Sequence, residues 1–193
     1  SETGLSDPIN RESPGELPED GDSYLVPVTY MNSSADLKDF VGRHGGIVCT
    51  SSNATGILNW AFDRAGPKGA VLFFPDQHLG RNTGLSMGIP LDKMSVWTPG
   101  EENTIPEGVK IVLWHGFCSV HKRFTVPQIE AFRKKHPNGV VVVHPECPME
   151  VVEAADANGS TEYIRRFVAE QEPGTHIAVG TEINMVARLD AQH

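Results

Sequence analysis

The strongest constraint on this chain is a set of short, unbroken apolar runs, of which Ala70-Val71-Leu72-Phe73-Phe74 and Val140-Val141-Val142-Val143 are the clearest. A run without polar residues at alternate positions cannot leave one face in water. It belongs to a strand covered on both sides, as in a parallel sheet. On this criterion strands are predicted over 24–30, 46–50, 70–74, 109–114, 140–144 and 176–180. Stretches with apolar residues at helical spacing lie between them and predict helices over 36–43, 54–64, 126–135, 149–155, 162–170 and 182–189. Such alternation predicts an α/β fold. The Pro- and Gly-rich stretch 88–108 interrupts it and reads as a loop or an insertion.

Composition narrows the function. At 193 residues and 39% apolar content the chain can bury a core without disulfides. No run approaches the roughly 18 apolar residues of a membrane span, and the N-terminus lacks the pattern of a secretory signal, so a soluble, cytoplasmic protein is expected. The net charge of −9 argues against nucleic-acid binding, which rests on Lys and Arg. Three widely spaced cysteines, Cys49, Cys118 and Cys147, form no disulfide framework and fit a reducing compartment. The first 22 residues hold seven acidic side chains, one basic one (Arg11) and Pro8, Pro14 and Pro18, so a disordered segment is expected there.

The pattern also repeats. A strand, Tyr30-Met31-Asn32, a helix, a strand, Thr50-Ser51-Ser52-Asn53-Ala54, a helix, a strand and Asp76-Gln77-His78 match a later series. That series carries His144-Pro145-Glu146, Ala157-Asn158-Gly159-Ser160-Thr161 and Gly180-Thr181-Glu182 at the corresponding places. Each copy puts a polar cluster past its first strand and a hydroxyl-rich turn before its second helix, where ligands collect in parallel sheets. Two such modules facing one shared site is the arrangement this suggests.

The residues at these places allow definite chemistry, each beside a plainer reading. Ser51-Ser52-Asn53 and Gly159-Ser160-Thr161 either cradle an anion or cap a helix. In Trp114-His115-Gly116-Phe117-Cys118-Ser119-Val120-His121, the spacing His-x-x-Cys-x-x-His suits zinc or iron, or else places a small buried Cys beside solvated histidines. Cys49, inside an apolar run, is expected in the core. Tyr30 with Asn32, and His144 with Glu146, stand two apart, so in an extended chain each pair points one way. The first pair suits hydrogen bonding to carboxylates, the second proton transfer, and either suits a turn. Asp76, Gln77, His78 and Arg81 complete the set of candidates, each of them at least as well suited to a solvated or capping role.

Taken together, several strings resemble the signature segments of the quinolinate synthase family, and in that family's order. They are Phe74-Pro75-Asp76-Gln77-His78-Leu79-Gly80-Arg81-Asn82, the Trp114 to His121 string, His144-Pro145-Glu146-Cys147-Pro148 and Gly159-Ser160-Thr161. Cys49-Thr50-Ser51-Ser52-Asn53-Ala54 and Val28-Thr29-Tyr30-Met31-Asn32 fit as well. The resemblance implies condensation of iminoaspartate with dihydroxyacetone phosphate to quinolinate, phosphate and water in de novo NAD biosynthesis. It also implies repeated αβα modules with short parallel sheets, three around a pseudo-threefold axis, with a central [4Fe-4S] cluster bound by one cysteine from each and acting as a Lewis acid.

Carried over by motif, Cys118 is a cluster ligand, and Tyr30, Asn32, Ser51, Ser160 and Thr161 bind the substrate. His144 and Glu146 orient it and exchange protons, and His121 lies near the site. L-Aspartate oxidase is the implied supplier of iminoaspartate, by contact or by soluble transfer. The family's first domain and its other two cluster cysteines have no counterpart here. The chain is thus expected to be a fragment, with an acidic segment at 1–22, the second module over 23–118 and an incomplete third over 119–193, and to be inactive alone. Two other readings stand beside this one. The first is a mononuclear zinc or iron hydrolase using His115, Cys118, His121 and His144. The second is a non-catalytic anion-binding α/β module.

Overall fold

The computed structural model describes residues 5–6 and 23–190. They belong to two compact units, residues 1–116 and 117–193. The disorder expected over 1–22 lies outside the described residues, apart from Leu5–Ser6 (β1), which pairs in parallel with Ser23 and Tyr24.

In the first unit the apolar runs become parallel strands. β2 (Ser23–Tyr30) lies between β3 (Ile47–Cys49) and β4 (Ala70–Phe74), with Tyr30 opposite Cys49 and Val28 opposite both Ile47 and Phe73. β6 (Ile111–Trp114) pairs with β4, and β5 (Met94–Trp97) closes the edge. Alternate side chains supply two cores. Tyr24, Val26, Val28, Phe73, Ile111 and Leu113 pack beneath Leu58 and Ala61 of α2 (Ala54–Ala65) and Leu79 of α3 (Gln77–Ser86). Leu25, Ala70 and Val112 pack on the opposite face. There α1 (Ala35–Arg43) sets Phe40 edge-on to Phe74, with ring centroids 6.2 Å apart. Helices therefore cover both faces, which is why these strands carry no polar alternation.

The second unit repeats the plan. β7 (Val140–Val143) lies between β8 (Ala157–Asn158) and β9 (Ile177–Gly180), all parallel. Val141 and Val143 pack against Ile129 of α4 (Val126–Lys135) and Val151 of α5 (Met149–Ala154). Val142 packs against Ile164 and Val168 of α6 (Thr161–Ala169) and Met185 and Leu189 of α7 (Ile183–Asp190). In both units a central strand, β2 or β7, is joined on one side by the next strand in sequence and on the other by the one after it. The repeat read from the sequence is thus a shared topology.

Three elements differ from expectation. The stretch 88–108 is not a plain loop, because it contains a 3-10 turn at Leu91–Lys93 and the strand β5. Its Pro and Gly residues bound the strand rather than forbid it. Residues 157–158, read as part of a turn, form β8. A helix that was not expected, α3, follows β4, with Asp76 as its N-cap accepting from the Leu79 amide at 2.8 Å. Its two glycines lower helix propensity but let it press on the sheet. A Cβ on Gly80 would stand 2.7 Å from Leu113 and 2.8 Å from Phe73, both buried.

That contact predicts opposite signs for two identical substitutions. Gly80→Ala should destabilise the chain by about 1–3 kcal/mol through overpacking. Gly42→Ala, in α1 with no atom within 4 Å of the added methyl, should stabilise it by about 0.5–1 kcal/mol. Urea unfolding of the two variants checks this, and a loss of stability in both would refute the packing account.

Candidate active site

In each unit the chain passes from the central strand to a neighbour on one side and then crosses to the other, an arrangement that in α/β proteins binds ligands at the carboxyl ends of the strands. In the second unit four buried polar residues gather near the ends of β7 and β9: His121, His144, Glu146 and Thr181. Polar groups buried this deeply require partners.

His144 and Glu146 meet, although not through extended chain as their spacing suggested. The backbone turns after β7, with the Cys147 amide donating to the His144 carbonyl at 3.0 Å. The Glu146 amide then donates to His144 Nδ1 at 3.3 Å, and Glu146 Oε2 lies 3.2 Å from the same nitrogen. Occupation of Nδ1 by that amide leaves Nε2 as the N–H of a neutral His144. His121, in a 3-10 turn at His121–Arg123, stacks on His144 with ring centroids 4.6 Å apart. Its Nε2 lies 3.3 Å from the Thr181 hydroxyl, and its Nδ1 lies 3.4 Å from Glu146 Oε2. That nitrogen is buried and makes no hydrogen bond. Burial, and then the neighbouring His144, push the His121 imidazole down to about 4, against the opposing pull of Glu146.

Cys118 completes the cluster. Its Sγ, a ring nitrogen of His121 and a carboxylate oxygen of Glu146 lie within 4.8 Å of one another. The donor set read from the spacing is corrected accordingly. Glu146 joins Cys118 and His121, while His144 lies behind Glu146 and His115 is exposed in the first unit. Thr181 stands in the repeat, in the Gly180-Thr181-Glu182 segment, with no motif of its own. Its pairing with His121, 60 residues away, has no local signal.

The hydroxyl-rich turns divide. Ser160 is the N-cap of α6 and accepts from the Tyr163 amide at 3.3 Å, so capping holds there, and Thr161 begins the helix exposed. Before α2 the side chains turn back on themselves. Asn53 Oδ1 accepts from the Thr50 amide at 2.7 Å, and Thr50 Oγ1 lies 2.9 Å from Ser52 Oγ. α2 therefore starts without a side-chain cap, beside a half-buried Ser51. At the end of β2, Tyr30 is 5% exposed and packs in the core, whereas Asn32 is exposed in a bend. The chain leaves the extended conformation after Tyr30, so the alternation argument for this pair does not hold.

A metal cluster of the kind the resemblance implies would draw on thiolates. Cys49 is wholly buried in β3, and burial pushes its thiol up to about 12. Cys147 is also buried, with its Sγ 3.6 Å from the Gly180 carbonyl oxygen. Neither can offer a sulfur to an incoming metal. Half-buried Cys118 is placed to offer one, beside His121 and Glu146.

These features define a class, an α/β protein of parallel sheets with buried polar and titratable groups gathered at the carboxyl ends of its strands. Comparison with known proteins sharpens it. A family model described as Quinolinate synthetase A protein matches residues 4–193. The quinolinate synthase of Corynebacterium glutamicum is 58% identical over 178 residues, which cover 90% of this chain and 44% of that protein. That of Listeria monocytogenes is 51% identical over 169 residues, 86% of this chain and 45% of the relative. That of Bacillus velezensis is 48% identical over 172 residues, 88% and 46% respectively. The chain belongs to the quinolinate synthetase A family and spans less than half the length of these relatives.

The burial of His121 predicts a pH dependence of stability in the metal-free chain. Below about 6.5 the unfolded chain takes up a proton that folded His121 refuses until about pH 4. This contribution is therefore intact above pH 6.5 and is lost progressively as the pH falls towards 4. His121→Asn should flatten that part of the profile of urea midpoints against pH. An unchanged slope in the variant would assign it to other groups.

Proposed function

We propose that this chain is part of a quinolinate synthase, contributing to the condensation of iminoaspartate with dihydroxyacetone phosphate to quinolinate, phosphate and water in NAD biosynthesis. The observation that carries this reading is the buried His121, His144, Glu146 and Thr181 cluster in a chain matched to the family over 4–193. Building an aromatic ring from these two substrates requires protons to leave carbon and to reach departing oxygens. A buried carboxylate against two imidazoles suits that work. Glu146 is the proton acceptor in this reading, with His144 orienting it through the amide-to-Nδ1 contact. The Nε2–H of His144 and the Thr181 hydroxyl serve as donors to substrate carboxylates.

Tyr30, Asn32 and Ser51 in the first unit, and Ser160 and Thr161 in the second, are assigned to substrate binding by motif. The uncapped start of α2 beside Ser51 supports an anion there. Cys118 would hold one corner of a [4Fe-4S] cluster, which when bound supplies Lewis acidity toward substrate oxygen. With Cys49 and Cys147 both in cores, this chain alone does not retain such a cluster and is inactive. Iminoaspartate would arrive from L-aspartate oxidase or by diffusion, in the cytoplasm, consistent with three cysteines that form no disulfide. No helix among the described residues is long and apolar enough to cross a membrane.

The test uses the complete protein. Glu146→Gln should lower kcat by about 10²–10⁴-fold, the range for a lost general base, with iron and sulfide content unchanged. Cys118→Ser should lose both cluster and activity. The present chain, reconstituted anaerobically, should bind far less acid-labile sulfide than the complete protein. Full activity in Glu146→Gln, or equal sulfide in the short chain, would defeat the assignment.

A further inference from the structure

The cluster in the second unit has an electrostatic imbalance that proton transfer does not explain. His121 Nε2 engages the Thr181 hydroxyl, which leaves Nδ1 as a buried nitrogen with no hydrogen bond. That nitrogen stands 3.4 Å from Glu146 Oε2, with the Cys118 sulfur in the same group of donors. With the ring proton on Nε2, a lone pair and a carboxylate oxygen converge and no positive charge lies between them. The His121 side chain is 9% exposed and that of Glu146 6%, so water does little to screen the arrangement.

We infer that Cys118 Sγ, His121 Nδ1 and the Glu146 carboxylate form a mononuclear site for a borderline divalent ion of the zinc type, filled when Cys118 carries no cluster. A sulfur, an imidazole nitrogen and a carboxylate oxygen are ligands that Zn²⁺ accepts in tetrahedral sites. Bond lengths of about 2.0–2.3 Å place such donors roughly 3.3–3.8 Å apart, so the present group, within 4.8 Å, closes by about 1 Å around the ion. Thr181 is a second-shell partner of the usual kind, its hydroxyl able to accept from Nε2–H when Nδ1 binds the ion. Three protein ligands leave a fourth position for water or a substrate oxygen. The inference reaches beyond the proposed reaction but draws on the same cluster, sharing with it Cys118 as a metal-binding thiolate and the carboxylate of Glu146. An ion held here and a cluster on Cys118 exclude one another.

Cobalt serves as the spectroscopic probe. The reduced, metal-stripped chain is titrated anaerobically with Co²⁺ and then with Zn²⁺ in competition, and no sulfide is supplied. The expected result is one ion per chain with a sulfur-to-cobalt charge-transfer band that Zn²⁺ abolishes. Cys118→Ser should remove the band, and His121→Ala should weaken binding at least tenfold. His136→Ala, which breaks the surface stack of His136 on His176, should leave binding unchanged. Zn²⁺ should also slow alkylation of Cys118 at least tenfold in the unaltered chain, a readout that does not depend on any variant folding. Absence of the band, binding indifferent to His121→Ala, or alkylation of Cys118 unaffected by Zn²⁺ would each overturn the site. None of these results bears on turnover or sulfide content in the complete protein, so failure here is distinguishable from failure of the synthase reading.

Discussion

Parallel pairing of one central strand with partners on both sides is the constraint from which the rest follows. In the first unit β2 hydrogen-bonds to β3 through Val28, Thr29 and Tyr30 and to β4 along most of its length. Because every strand runs the same way, all the carboxyl ends meet at one edge. The apolar faces are already committed to helices, so that edge is where polar groups can gather at low desolvation cost. β7 between β8 and β9 imposes the same logic on the second unit. Asp76 after β4, Glu146 after β7 and Thr181 after β9 all occupy such ends.

The second unit shows what that edge costs. Four polar side chains are nearly inaccessible there, and most of their groups have partners, as buried polar atoms must. The exception is concentrated at one place, where His121 Nδ1 faces Glu146 Oε2. Burial holds His121 neutral, and the absent charge is what both a migrating proton and a bound cation would supply. An arriving charge would interact strongly there, because the place is poorly solvated.

Much of the architecture was legible in the chain. Continuous apolar runs marked β2, β4, β6, β7 and β9, and helical periodicity marked α1, α2, α4, α5, α6 and α7, most within a residue or two of their ends. The failures have physical causes. Gln77–Ser86 carries two glycines and several short polar residues, so its propensity is poor, and it is helical because Gly80 and Gly84 admit the sheet. β5 sits at an edge between proline-rich flanks, and β8 is two residues long. Neither shows a periodic signal. Both are strands because a neighbour offers hydrogen bonds.

By itself the sequence determined the fold class, the internal repeat and the family, because apolar runs, helical periods and motif order are local and linear. It also singled out Cys118, His144 and Glu146, whose residue types are rare in such runs. Only the tertiary structure decided which donors converge. It set Glu146 rather than His144 or His115 with Cys118 and His121, brought Thr181 to His121 from 60 residues away, and buried Tyr30 while exposing Asn32. Those outcomes depend on turns after strand ends and on which strands pair. Turn geometry and pairing are decided by packing across the sheet, and no spacing along the chain encodes them.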